Sequence, residues 1–371
     1  MGSDSIFKVL LVAEGSGGHL IPALQVAGVL AKAGARTKVW YAERPQTARL
    51  AGALAHEAEG ESVEVQPIPA ASPHVLGRLW QCGQLWSRAQ RCFETFAPDV
   101  VVGFGGWLSA PIVLAAKKRR IRCVVHEQNV VLGRANRWLS RWVDRLAVSF
   151  QETPRPRGAA PRVVTGMPVR NAIGASSRDR EAQAFGFTAQ RPTLLILGGS
   201  QGAQAINRLM AGALTLLSGQ ERRLWQFLHV TGHADEAAMR AAYGAAGVTA
   251  WVAPFLMEMA SAYSLADLVI GRAGASTIAE LARCGTPAVL IPYPHAGGHQ
   301  LANARHVEAV GGGLLFEEAQ ATPKRLLGAV RRVMADRRLR TIMGEQMQGL
   351  DSSDATERLA EVIRDMAHAS R

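Results

Sequence analysis

The sequence predicts an α/β protein made of two Rossmann-like domains in tandem. Three observations carry that prediction. The chain has 371 residues, which at ~150 residues per domain is enough for two. Short β-branched runs alternate with longer stretches of helical pattern, and such alternation builds βαβ units and largely parallel sheets. Each half also opens with an apolar strand that runs into a glycine-rich turn and then a helix.

The elements follow in order. Lys8–Ala13 is apolar after its lysine and reads as a strand buried on both faces. Glu14 and the turn Gly15-Ser16-Gly17-Gly18-His19 come next. Further strands are expected at Lys38–Ala42, Val63–Ile68, Asp99–Gly103, Arg122–Val125 and Asp144–Val148. Residues 150–169 gather Pro154, Pro156, Pro161 and Pro168 with Gly158 and Gly166, and read as the join. The pattern resumes at Thr193–Leu197 and the turn Gly198-Gly199-Ser200-Gln201-Gly202-Ala203. Strands are then expected at Leu224–Val230, Val248–Val252, Leu268–Ile270, Ala288–Ile291 and Leu314–Phe316. Asp354 caps a last helix. The expected division is 1–165, 166–353 and a C-terminal helix, 354–371, that packs back on the first domain. Substrates of open sheets bind beyond the carboxyl ends of the strands, so the cleft between the domains is the expected site.

Composition narrows the function classes. With 48% apolar and 19% charged residues the chain can bury sizeable cores. Cys82, Cys92, Cys123 and Cys284 show no CxxC pairing, so neither a disulfide framework nor a zinc ribbon is implied, and a reducing compartment fits. Residues 1–7 are short and polar, unlike a secretory signal. A long uncharged stretch, 100–116, contains Gly103, Gly105, Gly106 and Pro111. It reads as strand, glycine turn and helix start rather than as a membrane span, which needs about 20 apolar residues.

The net charge of +12 is concentrated. Residues 117–145 carry +7 and residues 76–91 carry +3. Leu76, Leu79, Trp80, Leu85, Trp86 and Phe93 are interleaved with Arg78, Arg88 and Arg91, and Trp138 and Trp142 sit among Arg137, Arg141 and Arg145. Trp and Leu beside Arg on a helix suit the surface of an anionic membrane. The same pattern also describes an ordinary helix with its aromatics in the core and its arginines in water. No recognised motif makes nucleic acid the expected partner.

Strand–glycine–helix junctions aim backbone N–H groups and a positive helix end at an anion. The first turn departs from GxGxxG, and Glu43 is only an approximate candidate for the acid of a dinucleotide site. The segment Arg272-Ala-Gly-Ala-Ser-Thr-Ile-Ala-Glu280 is more informative. Its Gly274–Thr277 stretch can hold a diphosphate, and Glu280 lies where a carboxylate could accept both hydroxyls of a ribose. His295 and His299, with His306 beyond, flank Gly297-Gly298 and lack the Cys or Asp that would complete a metal set.

The motifs Gly15-Ser-Gly-Gly-His19, His126-Glu-Gln-Asn129, Pro168-Val-Arg170, Gly198-Gly-Ser-Gln-Gly-Ala203, Gly274-Ala-Ser-Thr-Ile-Ala-Glu280 and His299-Gln-Leu-Ala-Asn303 resemble, in order and spacing, those of the MurG family. These are peptidoglycan N-acetylglucosaminyltransferases of GT-B fold, and the resemblance runs from about residue 8 to 366. It implies that UDP-N-acetylglucosamine binds mainly to the second domain. Glu280 would hold the ribose, Ala275, Ser276 and Thr277 the diphosphate, and the backbone at Leu256 the uracil. Gln300 would recognise sugar hydroxyls, Ser200 and Arg170 would approach the phosphates, and Asn129 would reach the sugar from the first domain. Ser16, Gly17 and Gly18 would close around donor and acceptor diphosphates. The implied acceptor is undecaprenyl-diphosphate-linked muramoyl-pentapeptide, lipid I, and the implied product lipid II. The implied setting is peripheral, on the cytoplasmic face of the bacterial inner membrane, with an anionic lipid surface and other cell-wall synthesis proteins as partners.

The residues support this chemistry on their own terms. Inverting transfer needs a base for the acceptor hydroxyl, and His19 is the residue type suited to proton transfer at neutral pH. His126 and Glu127 are further polar groups near the expected site. The chain has no Asp-x-Asp, so helix N-termini and Arg170 are expected to stabilise departing UDP without a metal or other cofactor. Glu14 stands where the family's loop has Gly, Ser16 where it has Thr, Met167 where it has Asn, and Gly297-Gly298 replace polar residues. The Glu14 carboxylate is expected to point away and be mechanistically silent. The alternatives are a GT-B transferase with a soluble acceptor, a UDP-sugar 2-epimerase sharing the fold, and a non-catalytic nucleotide-sugar-binding subunit.

Overall fold

The structure, a computed structural model, describes residues 6–14, 17–44, 47–48, 51–52, 62–72, 74–198 and 203–369. The chain folds as two units. Met1–Arg170 together with Ser352–Arg371 form unit 1, and Asn171–Asp351 form unit 2.

Unit 1 begins with β1 (Lys8–Ala13), α1 (Gly17–Lys32), β2 (Arg36–Glu43), β3 (Val63–Pro69), α2 (Val75–Thr95) and β4 (Val100–Gly103). It continues through α3 (Ser109–Lys118), β5 (Arg122–Glu127), α4 (Arg134–Leu139), β6 (Arg145–Val148) and β7 (Arg162–Val164). The strands form one parallel sheet in the order β3-β2-β1-β4-β5-β6-β7. Helices cover both faces, so the central strand has no solvent side, and Val9 to Val12 are fully buried.

Unit 2 runs through α5 (Arg178–Phe185), β8 (Thr193–Leu197), α6 (Gln204–Thr215), α7 (Gly219–Leu224), β9 (Gln226–Val230), α8 (Glu236–Ala246), β10 (Thr249–Ala253), α9 (Met259–Leu265) and β11 (Leu268–Gly271). It is completed by α10 (Ala275–Cys284), β12 (Ala288–Leu290), α11 (His299–Ala309), β13 (Gly313–Leu315), α12 (Pro323–Ala335) and α13 (Arg337–Gln348). Its parallel sheet, β10-β9-β8-β11-β12-β13, repeats the order of unit 1 without the edge strand. The chain then returns to unit 1 as α14 (Ala355–His368). Leu359, Ile363, Met366 and Ala367 bury one stripe of α14, which packs on α1, and His368 meets the ring of Phe7.

Four expectations need correction. The proline-rich stretch 150–169 is not a free join, because β7 lies within it and pairs with β6. The division falls after Arg170 rather than at 165/166. Gly166 (φ +83°) explains the shift: a β-carbon there would stand 2.3 Å from Ser352 Cβ and 2.9 Å from Ala355 Cβ, so its bare backbone lets the returning chain pack against it. The second boundary likewise falls after Asp351 rather than at 353/354. Finally, β9 starts at Gln226, because Ser218 and Glu221 form a capping box that turns 219–224 into α7.

Candidate active site

In each unit the chain reverses its direction of travel across the sheet at one pair of neighbouring strands, β1/β4 in unit 1 and β8/β11 in unit 2. Ligands of open α/β sheets bind at such switch points.

His19 is the third residue of α1, half-buried at the end of β1. Its Nδ1 hydrogen-bonds the carbonyl of Glu14. A carbonyl only accepts, so Nδ1 carries the hydrogen and Nε2 of the neutral ring keeps its lone pair. That nitrogen faces the turn after β4. A β-carbon on Gly105 (φ +87°) would lie 3.5 Å from His19 Nε2, 3.3 Å from Asn136 Nδ2 and 3.6 Å from Gln128 Oε1. Three polar side chains therefore ring the space that this glycine leaves open.

The residues behind His19 form a scaffold. Gln128 Nε2 donates to Phe104 O at 3.0 Å and to His126 Nδ1 at 3.2 Å. Gln128 Oε1 is thereby turned the other way, buried and without a hydrogen-bond partner among the described residues. His126 is fully buried, donates from Nε2 to Gly166 O at 3.1 Å, and burial lowers its pKa to about 4. With both ring nitrogens engaged it is a strut, not a second base. Glu127, 2% exposed, is saturated: Oε1 accepts from Asn129 N–H (3.1 Å) and Nδ2 (2.9 Å), and Oε2 from Gly133 N–H (2.8 Å) and Asn136 Nδ2 (2.9 Å). It shapes the 129–136 turn and thereby sets Asn129. Glu14 is not idle either. Its carboxylate accepts the Leu108 N–H at 2.8 Å, at the entrance to α3.

Gly17 and Gly18 form the first turn of α1, where N–H groups lack intrahelical partners. Arg170 is the last residue of unit 1, half-buried and engaged. Ser16 and Ser200 lie outside the described residues.

In unit 2, Gly274 is the N-cap of α10, and Ala275, Ser276 and Thr277 are its first three residues. They follow β11 and offer free N–H groups and two hydroxyls at a positive helix end. Asn303, buried on α11, holds this turn by donating to Ala273 O at 3.1 Å. Glu280 is 8% exposed on α10, and Tyr263 Oη donates to its Oε2 at 2.9 Å. Gln300, in the first turn of α11, accepts the Tyr293 N–H at 2.9 Å. Leu256 is half-buried on the turn between β10 and α9. All of these residues follow the carboxyl ends of unit 2 strands. Arg272 braces the same edge, donating to Ile291 O at 3.0 Å, pairing with Glu318 and stacking on Tyr293.

Sequence reasoning missed Gly105, Asn136, Tyr263 and Arg272 as site residues. Gln128 and Asn303 stood inside quoted motifs, and the Gly105-Gly106 pair marked a turn. Tyr263 had no local signal.

Residues 9–148 match the glycosyltransferase family 28 N-terminal domain, and residues 193–366 match the family's C-terminal domain. The chain belongs to glycosyltransferase family 28. Curated relatives match along nearly the full length. The UDP-N-acetylglucosamine–N-acetylmuramyl-(pentapeptide) pyrophosphoryl-undecaprenol N-acetylglucosamine transferase of Rhodospirillum rubrum is 39% identical over 363 residues, covering 96% of this chain and 91% of the relative. The enzyme of the same name from Syntrophotalea carbinolica is 37% identical, covering 97% and 99%. The crystal structure of MurG from Acinetobacter baumannii is 30% identical with a TM-score of 0.75, covering 97% of this chain and 99% of that one. Each unit of this family 28 glycosyltransferase has the Rossmann-like sheet of the GT-B fold.

Proposed function

We propose that the enzyme transfers N-acetylglucosamine from its UDP donor to the C4 hydroxyl of the muramoyl residue of lipid I, with inversion, giving lipid II. The observation that carries the mechanism is the tautomer of His19: with Nδ1–H committed to the Glu14 carbonyl, Nε2 is the nitrogen able to take a proton. His19 removes the C4 hydroxyl proton as that oxygen bonds to the sugar C1, and the bond from C1 to the UDP diphosphate breaks. The leaving charge is met by the N–H groups of Ala275, Ser276 and Thr277 and by the hydroxyls of Ser276 and Thr277, with Ser200 and Arg170 assisting. Glu280 holds the ribose, the Leu256 backbone the uracil, and Gln300 and Asn129 the sugar. The names of the full-length relatives support the donor and the acceptor.

The acceptor's lipid anchor requires access to a membrane, and exposed apolar and basic residues of unit 1 support docking there. Val75, Leu76, Leu79 and Trp80 at the start of α2 are 61–80% exposed, and Trp107, Trp138 and Trp142 are 43–54% exposed. Arg78, Arg137 and Arg141 beside them are exposed too. Helix α2 packs on α3 and α3 on α4, so both patches lie on one helical layer. Among the described residues no helix is long and apolar enough to cross a membrane. The reading is peripheral docking on the cytoplasmic face of the inner membrane.

The decisive experiment follows labelled N-acetylglucosamine from UDP to a lipid I analogue with excess chelator present. Labelled lipid II product is expected. Saturable donor binding without product would overturn the reading in favour of a soluble acceptor or a non-catalytic role.

A further inference from the structure

Glu280 is a carboxylate held almost out of water, and a residue on another helix hydrogen-bonds it. Tyr263 lies on α9 and is 2% exposed, and its hydroxyl donates to Glu280 Oε2 at 2.9 Å. The phenol is itself immobilised in the wall between α9 and α10, elements that pack directly on each other.

A carboxylate offers about four lone-pair sites on two oxygens and donates nothing. The terminal torsion of a glutamate side chain is broad, so an unanchored Glu280 would sample many orientations of its carboxylate plane. A ribose presents two cis hydroxyls, and recognising both at once requires one orientation. We propose that Tyr263 is the positioning residue of the ribose site. Its hydroxyl fixes the rotation of the Glu280 carboxylate, so that a nucleoside-diphosphate donor meets a preset pair of acceptors and the protein tells ribose from 2′-deoxyribose. The proposal rests on the assignment of Glu280 to the ribose made above, and adds Tyr263 as the source of its selectivity. Tyr263 touches no reacting atom in this scheme and acts through Glu280 alone.

The test measures dissociation constants of UDP and 2′-deoxy-UDP by calorimetry for the wild type, Tyr263→Phe, Glu280→Gln and the double variant. Tyr263→Phe keeps the ring and removes only the hydroxyl. The wild type is expected to favour UDP by ~10–100-fold, as a site built to hydrogen-bond a hydroxyl rejects the analogue that lacks it. Tyr263→Phe should reduce that preference to about 3-fold or less, by weakening UDP more than 2′-deoxy-UDP, while kcat at saturating donor stays within about 2-fold of the wild type. In the Glu280→Gln background, adding Tyr263→Phe should change the preference no further, because the two residues act as one unit. An unchanged preference in Tyr263→Phe, or equal weakening of both nucleotides, overturns the proposal and leaves Tyr263 as packing. A wild type that binds both nucleotides equally overturns the assignment of Glu280 itself.

Discussion

The side chain of Glu14 occupies the space in which Gly106 would carry a β-carbon. An ideal Cβ on Gly106 (φ +83°) falls 2.1 Å from Glu14 Oε2 and 2.3 Å from Glu14 Cβ. The Glu14 carboxylate is thus matched to the bare backbone of the turn after β4, which it ties down through the Leu108 N–H. Gly106→Ala meets both the clash and the left-handed backbone, and should cost ~2–4 kcal/mol. In a Glu14→Gly background the clash is gone and the cost should drop to about 1–2 kcal/mol. Urea unfolding of the four proteins checks this, and an equal loss in both backgrounds would refute the pairing.

His19→Gln should lower kcat by ~10²–10⁴-fold, the usual contribution of a positioned general base. The donor is assigned to unit 2, so the UDP dissociation constant should move by less than about 2-fold. Retention of more than a tenth of the wild-type kcat would place proton removal elsewhere.

Two buried histidines make both units acid-sensitive. Burial lowers the pKa of His126 to about 4 and that of His229, between Asn207 and Tyr243, to about 3. In the unfolded chain each titrates near 6.5. Between the folded and unfolded values only the unfolded state takes up the proton, so stability falls as pH drops through that window. From pH 7 to pH 5 each should cost its unit about 2 kcal/mol. The check is the urea midpoint at the two pH values, and His229→Gln should flatten the slope for unit 2.

Ala97 and Arg120 each follow a helix end with φ of +48° and +60°, a conformation that glycine adopts without strain. Ala97→Gly should raise stability by ~0.5–1 kcal/mol, the relief of strain exceeding the extra freedom of the unfolded chain. A lower melting temperature would contradict it.

Replacing Leu76, Leu79 and Trp80 together by Ser should reduce co-sedimentation with phosphatidylglycerol vesicles by ~10-fold or more, with UDP binding unchanged. Binding by the wild type should also weaken as salt rises. Vesicle binding indifferent to both changes would remove α2 from the docking surface.

The sheets were legible because β1 and β8 are buried on both faces and so read as unbroken apolar runs. β7 was not, since its three residues are half-buried beside prolines and form no such run. α7 could have been found from its capping box. Along α2 the interleaved pattern hid a division of labour: Leu85 and Phe93 enter the core while Leu76, Leu79 and Trp80 face outward. In the candidate site, the glycine turns marked His19 and the start of α10. The supports are another matter, because Tyr263 reaches Glu280 across 17 positions and Asn303 reaches Ala273 across 30. Local spacing cannot encode contacts made between separate elements.

Because Ser352–Arg371 complete unit 1 after the whole of unit 2, the order of synthesis and the order of completion are reversed. On the ribosome, unit 2 has its full complement of elements while unit 1 still lacks α14, and the apolar stripe of α1 stays uncovered until the last turns emerge. A nascent chain stalled before residue 352 would therefore hold a finished second unit and a sticky, unfinished first one.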